Sequence, residues 1–480
     1  MTRTNRTKIV CTMGPATEDD EVLRQMIASG MSVARLNFSH GDHEYHRTNI
    51  ERVRRVAAEM GATVAIMVDT KGPEIRTGHT KGHQPVMLES GSHVTIYTQP
   101  VEATSTCFSL DYAALPREVS PGSQIFVDDG LICLEVERVE GDEIYCMVVN
   151  SGLLGEHKGV NVPNVKMELP SVTDRDKDDI RFSCEMDVDA IAASFVRDAQ
   201  AVREIRQLCR DCGRDDIMII SKIESALALD CLDEILYESD GIMVARGDLG
   251  VEIPSAEVPY VQKDIIHRCN AAYRPVITAT QMLDSMTRYP RPTRAEVTDV
   301  ANAIYDGSDC VMLSGETAAG KYPVESVRMM AEICRQSEQH LLMRHTYHQR
   351  EGRKNVSGVA CFGAVEMAER VGASAILCPT ESGRTPRIIS AFRPHFPLIA
   401  ITPHERTLRK TAFYWGVTGI LSIEQEDLVR ICYNSLRITR KAGLVKQDDL
   451  VVITAGDPVT SPLTERSETS TNVCMIAQVF

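Results

Sequence analysis

The chain has 480 residues, 43% hydrophobic and 25% charged, an ordinary globular balance with length for roughly two to four domains. Its formal charge of −15 and pI near 5.4 speak against nucleic acid or an anionic membrane as the main partner, so a small anion has to be captured in a local basic pocket. No apolar run is long enough to span a bilayer, the polar stretch Met1–Lys8 lacks a signal-peptide core, and the 15 scattered cysteines read as buried free thiols of a reducing, cytoplasmic compartment.

Lys8–Met13 reads as a strand closed by Gly14 and Pro15, and Thr17-Glu18-Asp19-Asp20 as the cap of a helix carrying Val22, Leu23, Met26 and Ile27. A strand from Met31 turns polar at alternate positions, so Arg35, Asn37 and Ser39 share a face. The buried run Val64–Val68 ends in the polar segment Asp69 to Arg76. Between about Thr77 and Pro170 helical periodicity gives way to short Val, Ile and Tyr-rich runs, with Asp129-Gly130 and Gly141-Asp142 as hairpin signals. This predicts an all-β insert in the place of a βα loop, well placed to act as a lid.

After Pro170 strand and helix alternate again: an acidic helix capped at Thr173, a strand over Val188–Ser194, then a helix rich in Arg and Gln. Cys209-Arg210-Asp211-Cys212 has no second pair at zinc spacing, which argues against a metal or redox role. Two further strands run to Glu224 and Ala245, Pro275–Gln281 and, after a helix from about Thr293, Asp309–Glu316 continue the pattern, and a long helix after Pro323 reaches about His340. Together these make about eight strand–helix units, the number that closes a barrel.

The stretch from Ile219 to Pro254 carries the chemistry. Alternation along a strand puts Lys222 and Glu224 on one face and Ile223 on the other, and a second apolar run, Gly241–Ala245, ends in Arg246-Gly247-Asp248. Adjacent parallel strands then bring a lysine and two carboxylates to the strand ends, where a barrel keeps its active site. Two carboxylates with room for water and substrate suit Mg²⁺. A lysine beside that cation supplies the positive charge that stabilises a phosphoryl group in transfer. Taken singly, each motif is as easily a surface salt bridge or a polar turn; their arrival at successive strand ends favours a site.

His345–Lys354 reads as a polar linker, and beyond it Val359–Arg370, Ala375–Pro379, Leu398–Thr402, Val417–Leu421 and Leu450–Thr454 form a separate α/β domain. There the loop Thr380–Arg387 opens into a helix with Thr385 as N-cap and Pro386 at the first helical position. Its N–H groups suit a phosphate, or remain an unoccupied cap.

Lys8–Pro15, Arg35–Gly41, Asp69–Thr77, Ile220–Glu224, Met243–Ile253 and Ile277–Met282 resemble signatures of the pyruvate kinase family, in the family's order and over nearly all of the chain. The resemblance implies an α/β fold: a (β/α)8 TIM barrel over 1–70 and 171–345, an inserted β-barrel lid over 71–170, and a C-terminal α/β allosteric domain over 346–480. It implies phosphoryl transfer from phosphoenolpyruvate to ADP giving pyruvate and ATP, Mg²⁺ (or Mn²⁺) and K⁺ as cofactors, a phosphorylated allosteric effector and a homotetramer. Position by position, Glu224 and Asp248 would hold Mg²⁺, Lys222 the phosphoryl group in flight, and Arg35 the substrate phosphate. The N–H groups of Gly247 and Asp248, with Thr280, would hold the substrate carboxylate, glycine allowing close backbone approach. Asn37, Ser39, Asp69 and Thr70 resemble the K⁺ ligands, while Asn37, His40, Arg76 and the lid's Lys158 would meet the nucleotide. For the proton that completes pyruvate, Thr280 and a water path past Ser314 both stay open.

In the family a glutamate after the Asp-Thr pair goes with K⁺ dependence, and Glu74 falls there; an extended segment would point Lys71 to the opposite face, while Arg76 could pair with Glu74 instead. Thr380, Ser382, Gly383, Arg384 and Thr385 match the effector-phosphate loop. Asp457, Glu465 and Glu468 against Arg466 in the last long loop would repel a doubly phosphorylated sugar, so a sugar monophosphate or AMP stays open beside fructose bisphosphate. The rival from another class is a Schiff-base lyase, an aldolase using Lys222, which needs that lysine neutral between two carboxylates that keep it charged.

Overall fold

The computed structural model describes residues 5–165, 167–341, 356–424, 427–456 and 471–480. Eight parallel strands close into a barrel: β1 (Lys8–Thr12), β2 (Met31–Asn37), β3 (Ala65–Asp69), β4 (Ala190–Ala193), β5 (Met218–Ile223), β6 (Gly241–Ala245), β7 (Val276–Ala279) and β8 (Cys310–Leu313). They neighbour one another in chain order, and β1 pairs with both β2 and β8. Both faces of these strands are buried, which is why they read as nearly unbroken apolar runs.

Period-two alternation sorts each strand. Val10, Val33, Ala65, Met67, Ala190, Ala192, Met218, Ile220, Met243 and Ile277 fill one core, while Ile9, Leu36, Ile66, Val68, Ile191, Ile219, Ile242 and Val244 pack in the other with the surrounding helices. Extending the first set by two residues toward the C-terminal ends gives Thr12, Arg35, Asp69, Ser194 and Lys222 on successive strands. The last layer of the barrel is therefore polar.

The insert forms a seven-stranded sheet whose edge strands are Ile75–Arg76 and Cys107–Ser109. A bridge between Thr77 and Leu110, immediately after both, joins the two edges, so the sheet closes on itself around Phe108, Ile125, Leu134 and Ile144. Asp129 and Gly130 take positive φ of 54° and 82°, and Gly141 62°, as their hairpin turns require. The C-terminal sheet has five strands. Its edge strand Val473–Gln478 runs antiparallel to Leu450–Ala455 and was not anticipated from the sequence.

The barrel's opposite end anchors the C-terminal segment. Arg393 Nη1 meets Asp309 Oδ1 at 2.7 Å, Arg409 Nε meets Asp189 Oδ1 at 2.6 Å, and Lys8 Nζ donates to Val417 O at 2.7 Å. Asp189 and Asp309 directly precede β4 and β8, so they lie at the N-terminal end, where barrel residues serve stability.

Two helix starts differ from expectation. Asp19, not Thr17, caps the helix Asp20–Ser29 by accepting from Glu21 N; the Thr17 hydroxyl is held by the backbone of Gly14 three residues back. Gly383, not Thr385, precedes the helix Arg384–Ser390, because its positive φ of 82° makes the turn and Thr385 is already helical. Thr173 caps the helix Asp174–Glu185 as expected, its hydroxyl accepting from Asp176 N while Asp176 Oδ2 accepts from Thr173 N in return. The linker His345–Lys354 and the charged residues of the last long loop, Asp457, Glu465, Arg466 and Glu468, lie outside the described residues. Among the described residues no helix is long and apolar enough to cross a membrane.

Candidate active site

Five strand ends converge at the barrel mouth. Asp69, 1% exposed, accepts from Arg35 Nε at 2.7 Å on one oxygen, and from Lys222 Nζ at 3.2 Å and Ser194 Oγ at 3.1 Å on the other. Arg35 also donates to Thr12 Oγ1 at 3.0 Å, and Lys222 to Ser194 Oγ at 2.7 Å. Asp69 thus fixes both cations, since each would otherwise keep several free rotamers. Its own carboxyl is buried, which opposes ionisation, but Arg35 and then Lys222 outweigh burial and hold its pKa below the ordinary value.

Lys222 continues the inward register of Met218 and Ile220, and Glu224, one step further, lies beside it with Nζ and Oε1 2.8 Å apart. Burial works against the Lys222 charge, but Asp69 and then Glu224 outweigh it and raise its pKa above the usual lysine value. The ammonium form that a phosphoryl group needs is the form this site enforces. A Schiff-base lysine needs the reverse.

Glu224 is itself 1% exposed, and its second oxygen accepts from Phe195 N at 2.5 Å. Burial pushes its carboxyl well above the ordinary range despite Lys222, and the Asp248 carboxylate adds to that push. A buried carboxylate whose ionisation a second carboxylate opposes fits a hard divalent cation, whose charge removes the conflict.

Asp248 sits in the helix Arg246–Glu252 that directly follows β6. Arg246 pins this junction to the next strand end, with 2.8 Å to Asp299 Oδ1 and 2.7 Å to Thr280 O. Gly247 N donates to Thr280 Oγ1 at 2.9 Å. A Cβ on Gly247 would meet Thr280 only at 3.5 Å, ordinary contact, so the protein alone does not demand glycine there; any steric demand comes from a ligand. Thr280 has φ of 68°, rare for a β-branched residue and costing about 1–3 kcal/mol, which turns its hydroxyl toward Gly247. Nothing in the sequence signals that conformation.

Asn37 pairs in register with Asp69 across β2 and β3, and its Oδ1 accepts from Ser39 N at 3.2 Å. Thr70 O accepts from Ser194 Oγ at 2.6 Å. Asn37, Ser39, Asp69 and Thr70 therefore meet at one strand pair, although the Asp69 oxygens are already engaged. His40 is exposed at the end of this segment. Ser194, Thr12 and the Phe195 N–H also bond to this cluster and carry no signal in the sequence, because each is an ordinary group brought there only by its place in the top layer. Ser314 Oγ is buried without a hydrogen-bond partner.

The lid carries Arg76 on an edge strand and Lys158 just before the neighbouring one, with Arg76 opposite Gly159. Lys158 Nζ is 3.0 Å from Asp128 Oδ1. Arg76 is held by Glu74 Oε2 at 2.5 Å, so Glu74 takes the arginine partner that the sequence left open. Lys71 does not face away from Glu74; its Nζ approaches Oε2 to 3.7 Å, because Gly72 at φ 72° bends what was read as an extended segment. The lid meets the barrel mouth where Asn161 Nδ2 donates to Glu252 Oε1 at 3.1 Å.

Thr380, Ser382, Gly383, Arg384 and Thr385 lie apart from this layer, where the strand Ala375–Pro379 runs into the helix Arg384–Ser390. Gly383 N donates to Thr380 Oγ1 at 3.0 Å and Thr385 Oγ1 shares a 2.7 Å bond with Thr471, while Ser382 is exposed.

Residues 4–327 match the family model for the pyruvate kinase barrel domain, and residues 359–477 that for the pyruvate kinase alpha/beta domain. A pyruvate kinase of Clostridium acetobutylicum is 46% identical over 456 residues, covering 94% of this chain and 96% of that protein. One of Geobacillus stearothermophilus is 48% identical over 458 residues, covering 95% of this chain and 78% of its own length. The crystal structure of a pyruvate kinase from Cryptosporidium parvum superposes with a TM-score of 0.90 at 39% identity, over 99% of this chain and 96% of that one. Agreement in both domains, at this identity and nearly full length, means that the chain belongs to the pyruvate kinase family.

Proposed function

We propose that Lys222, Arg35 and Thr280 carry the transfer of the phosphoryl group of phosphoenolpyruvate to ADP. The observation behind this reading is the charge ladder in which buried Asp69 holds Arg35 and Lys222 side by side at the barrel mouth. Arg35 binds the substrate phosphate with its planar fork, and Lys222 stabilises the charge that grows on the phosphoryl oxygens in transit. Gly247 N–H, Asp248 N–H and the Thr280 hydroxyl orient the substrate carboxylate. Glu224 and Asp248 are the residues that would hold Mg²⁺, which supplies Lewis-acid charge to the reacting oxygens when bound. Asn37, His40, Arg76 and Lys158 receive the nucleotide, with the last two arriving as the lid closes and water is excluded. The test is an initial-rate assay of pyruvate and ATP formation, which must proceed one for one.

A monovalent cation at Asn37, Ser39, Asp69 and Thr70 belongs to the same reading, since all four offer oxygen atoms beside the substrate phosphate. K⁺ replaced by tetramethylammonium at matched ionic strength is expected to lower kcat/KM about tenfold or more, roughly 1.4 kcal/mol. Equal rates in the two salts would remove K⁺ from the site.

Allosteric control through Thr380, Ser382, Gly383, Arg384 and Thr385 is the regulatory part. A phosphorylated effector there acts on the population of active conformers and touches no reacting atom. Ser382→Ala with Arg384→Ala should therefore abolish activation by sugar monophosphates or AMP while the rate at saturating substrate stays nearly unchanged. A lost maximal rate would place the loop in the reaction itself. The free cysteines suit a reducing cytoplasm, and the family resemblance carries the homotetramer, which sedimentation checks.

A further inference from the structure

His79, His83 and Glu156 gather on the lid with one potential ligand atom from each, all within 4.8 Å of one another. His83 Nδ1 lies 3.0 Å and His79 Nδ1 3.5 Å from the same Glu156 oxygen, Oε1. Tetrahedral zinc with bonds of about 2.0–2.1 Å sets its ligand atoms roughly 3.3 Å apart, so these two edges already have the right length. The three residues come from two segments, the turn Lys81–His83 with its preceding residues and the loop between the strands Gly152–Leu154 and Gly159–Asn161. His157 stands edge-on to His79, ring centres 4.7 Å apart, beside the cluster.

Glu156 is also supported from behind. Thr80 donates to Oε1 through its backbone N–H at 2.8 Å and its hydroxyl at 3.3 Å, the kind of outer contact that orients a metal-binding carboxylate. That backbone N–H, ahead of His83, keeps the Glu156 carboxyl below its ordinary range and so ionised. Oε1 thus receives three hydrogen bonds, with His79 Nδ1 a further 3.5 Å neighbour, while among the described residues Oε2 has only His83 Nδ1, at 3.3 Å. The side chains of His79 and His83 are 62% and 77% exposed, so the cluster is open to solvent and its ion pairs are worth little by themselves. Displacing them by a metal costs little.

We propose that His79, His83 and Glu156 form a binding site for a divalent late transition metal, Zn²⁺ by donor type, with His157 or water in the remaining position. Imidazole nitrogens select zinc or cobalt over magnesium, so this site is chemically separate from the oxygen-donor pair at the barrel mouth. Occupancy ties the turn at His79–His83 to the loop that runs into Lys158. His157 O in that loop accepts from Arg76 Nη1 at 2.7 Å, so the metal would act on the two lid cations together.

The test is titration of the full-length protein with Co²⁺ in saturating Mg²⁺, read by visible d–d absorption, followed by displacement with Zn²⁺. One equivalent should bind without a thiolate charge-transfer band, and His83→Ala or Glu156→Gln should each weaken binding about tenfold or more. A His79→Gln, His83→Gln double variant should remove the signal while its thermal unfolding without metal matches that of the parent. Unchanged titrations in these variants, or a spectrum dominated by thiolate ligation at the cysteines, would overturn the site.

Discussion

Lys222→Met should lower kcat by roughly 10²–10⁴-fold, because an ammonium aimed at a developing charge in a water-poor site is worth about 3–5 kcal/mol. Lys222 is 12% exposed and shared between Asp69 and Glu224, so no neighbouring cation replaces it except Arg35, which Asp69 holds to its own side. The KM for phosphoenolpyruvate should change little, since the proposed assignment gives ground-state binding to Arg35, Gly247 and Thr280 instead. Steady-state kinetics over a range of substrate concentrations separate the two effects. Near-normal kcat with a large rise in KM would reassign Lys222 to substrate binding.

Arg393→Met carries the largest expected loss of stability. The guanidinium pairs with Asp309 at 2.7 Å, donates to Asn270 Oδ1 at 3.0 Å and to Gly307 O, and lies over the Trp415 ring. Asp309 is 4% exposed and its other oxygen accepts from Val276 N at 2.9 Å, so the substitution strands a carboxylate inside the junction between barrel and C-terminal sheet. Breaking a buried pair from one side costs about 3–5 kcal/mol. Thermal or denaturant unfolding should show a markedly lower midpoint. Adding Asp309→Asn should recover a large part, because the unpaired charge is gone while the bond from Val276 survives. A double variant no more stable than the single one would mean that packing against Trp415, rather than charge, dominates.

The barrel and its polar mouth were legible because strand alternation is a rigid geometric rule. Once Met218 and Ile220 face inward, Lys222 and Glu224 must follow. Hairpin positions at Asp129-Gly130 and Gly141-Asp142 were legible for the same local reason. What failed depended on choices between near-equal local options or on contacts distant in sequence. Asp19 and Thr17 both suit a helix cap, and only the hydrogen bond from Glu21 decides between them. Lys71 approaches Glu74 because Gly72 breaks the extended path that alternation assumes. Ser194 carries no chemical signature in its own segment, yet it links Asp69, Thr70 and Lys222 once β3, β4 and β5 are adjacent. The positive φ of Thr280 accompanies hydroxyl bonds to Ala279 O and from Gly247 N, the latter a contact between two strand ends that no residue pattern expresses.

The most direct measurement uses Mn²⁺ in place of Mg²⁺ and follows the ³¹P relaxation of phosphoenolpyruvate bound to the protein. If Glu224 and Asp248 hold the divalent cation beside the phosphoryl group that Lys222 and Arg35 bracket, the paramagnetic ion should strongly enhance that relaxation. In a Glu224→Gln, Asp248→Asn double variant that still binds the substrate, the enhancement should vanish. Enhancement that persists undiminished in the double variant would contradict the assignment of these two carboxylates as the metal ligands of the reaction.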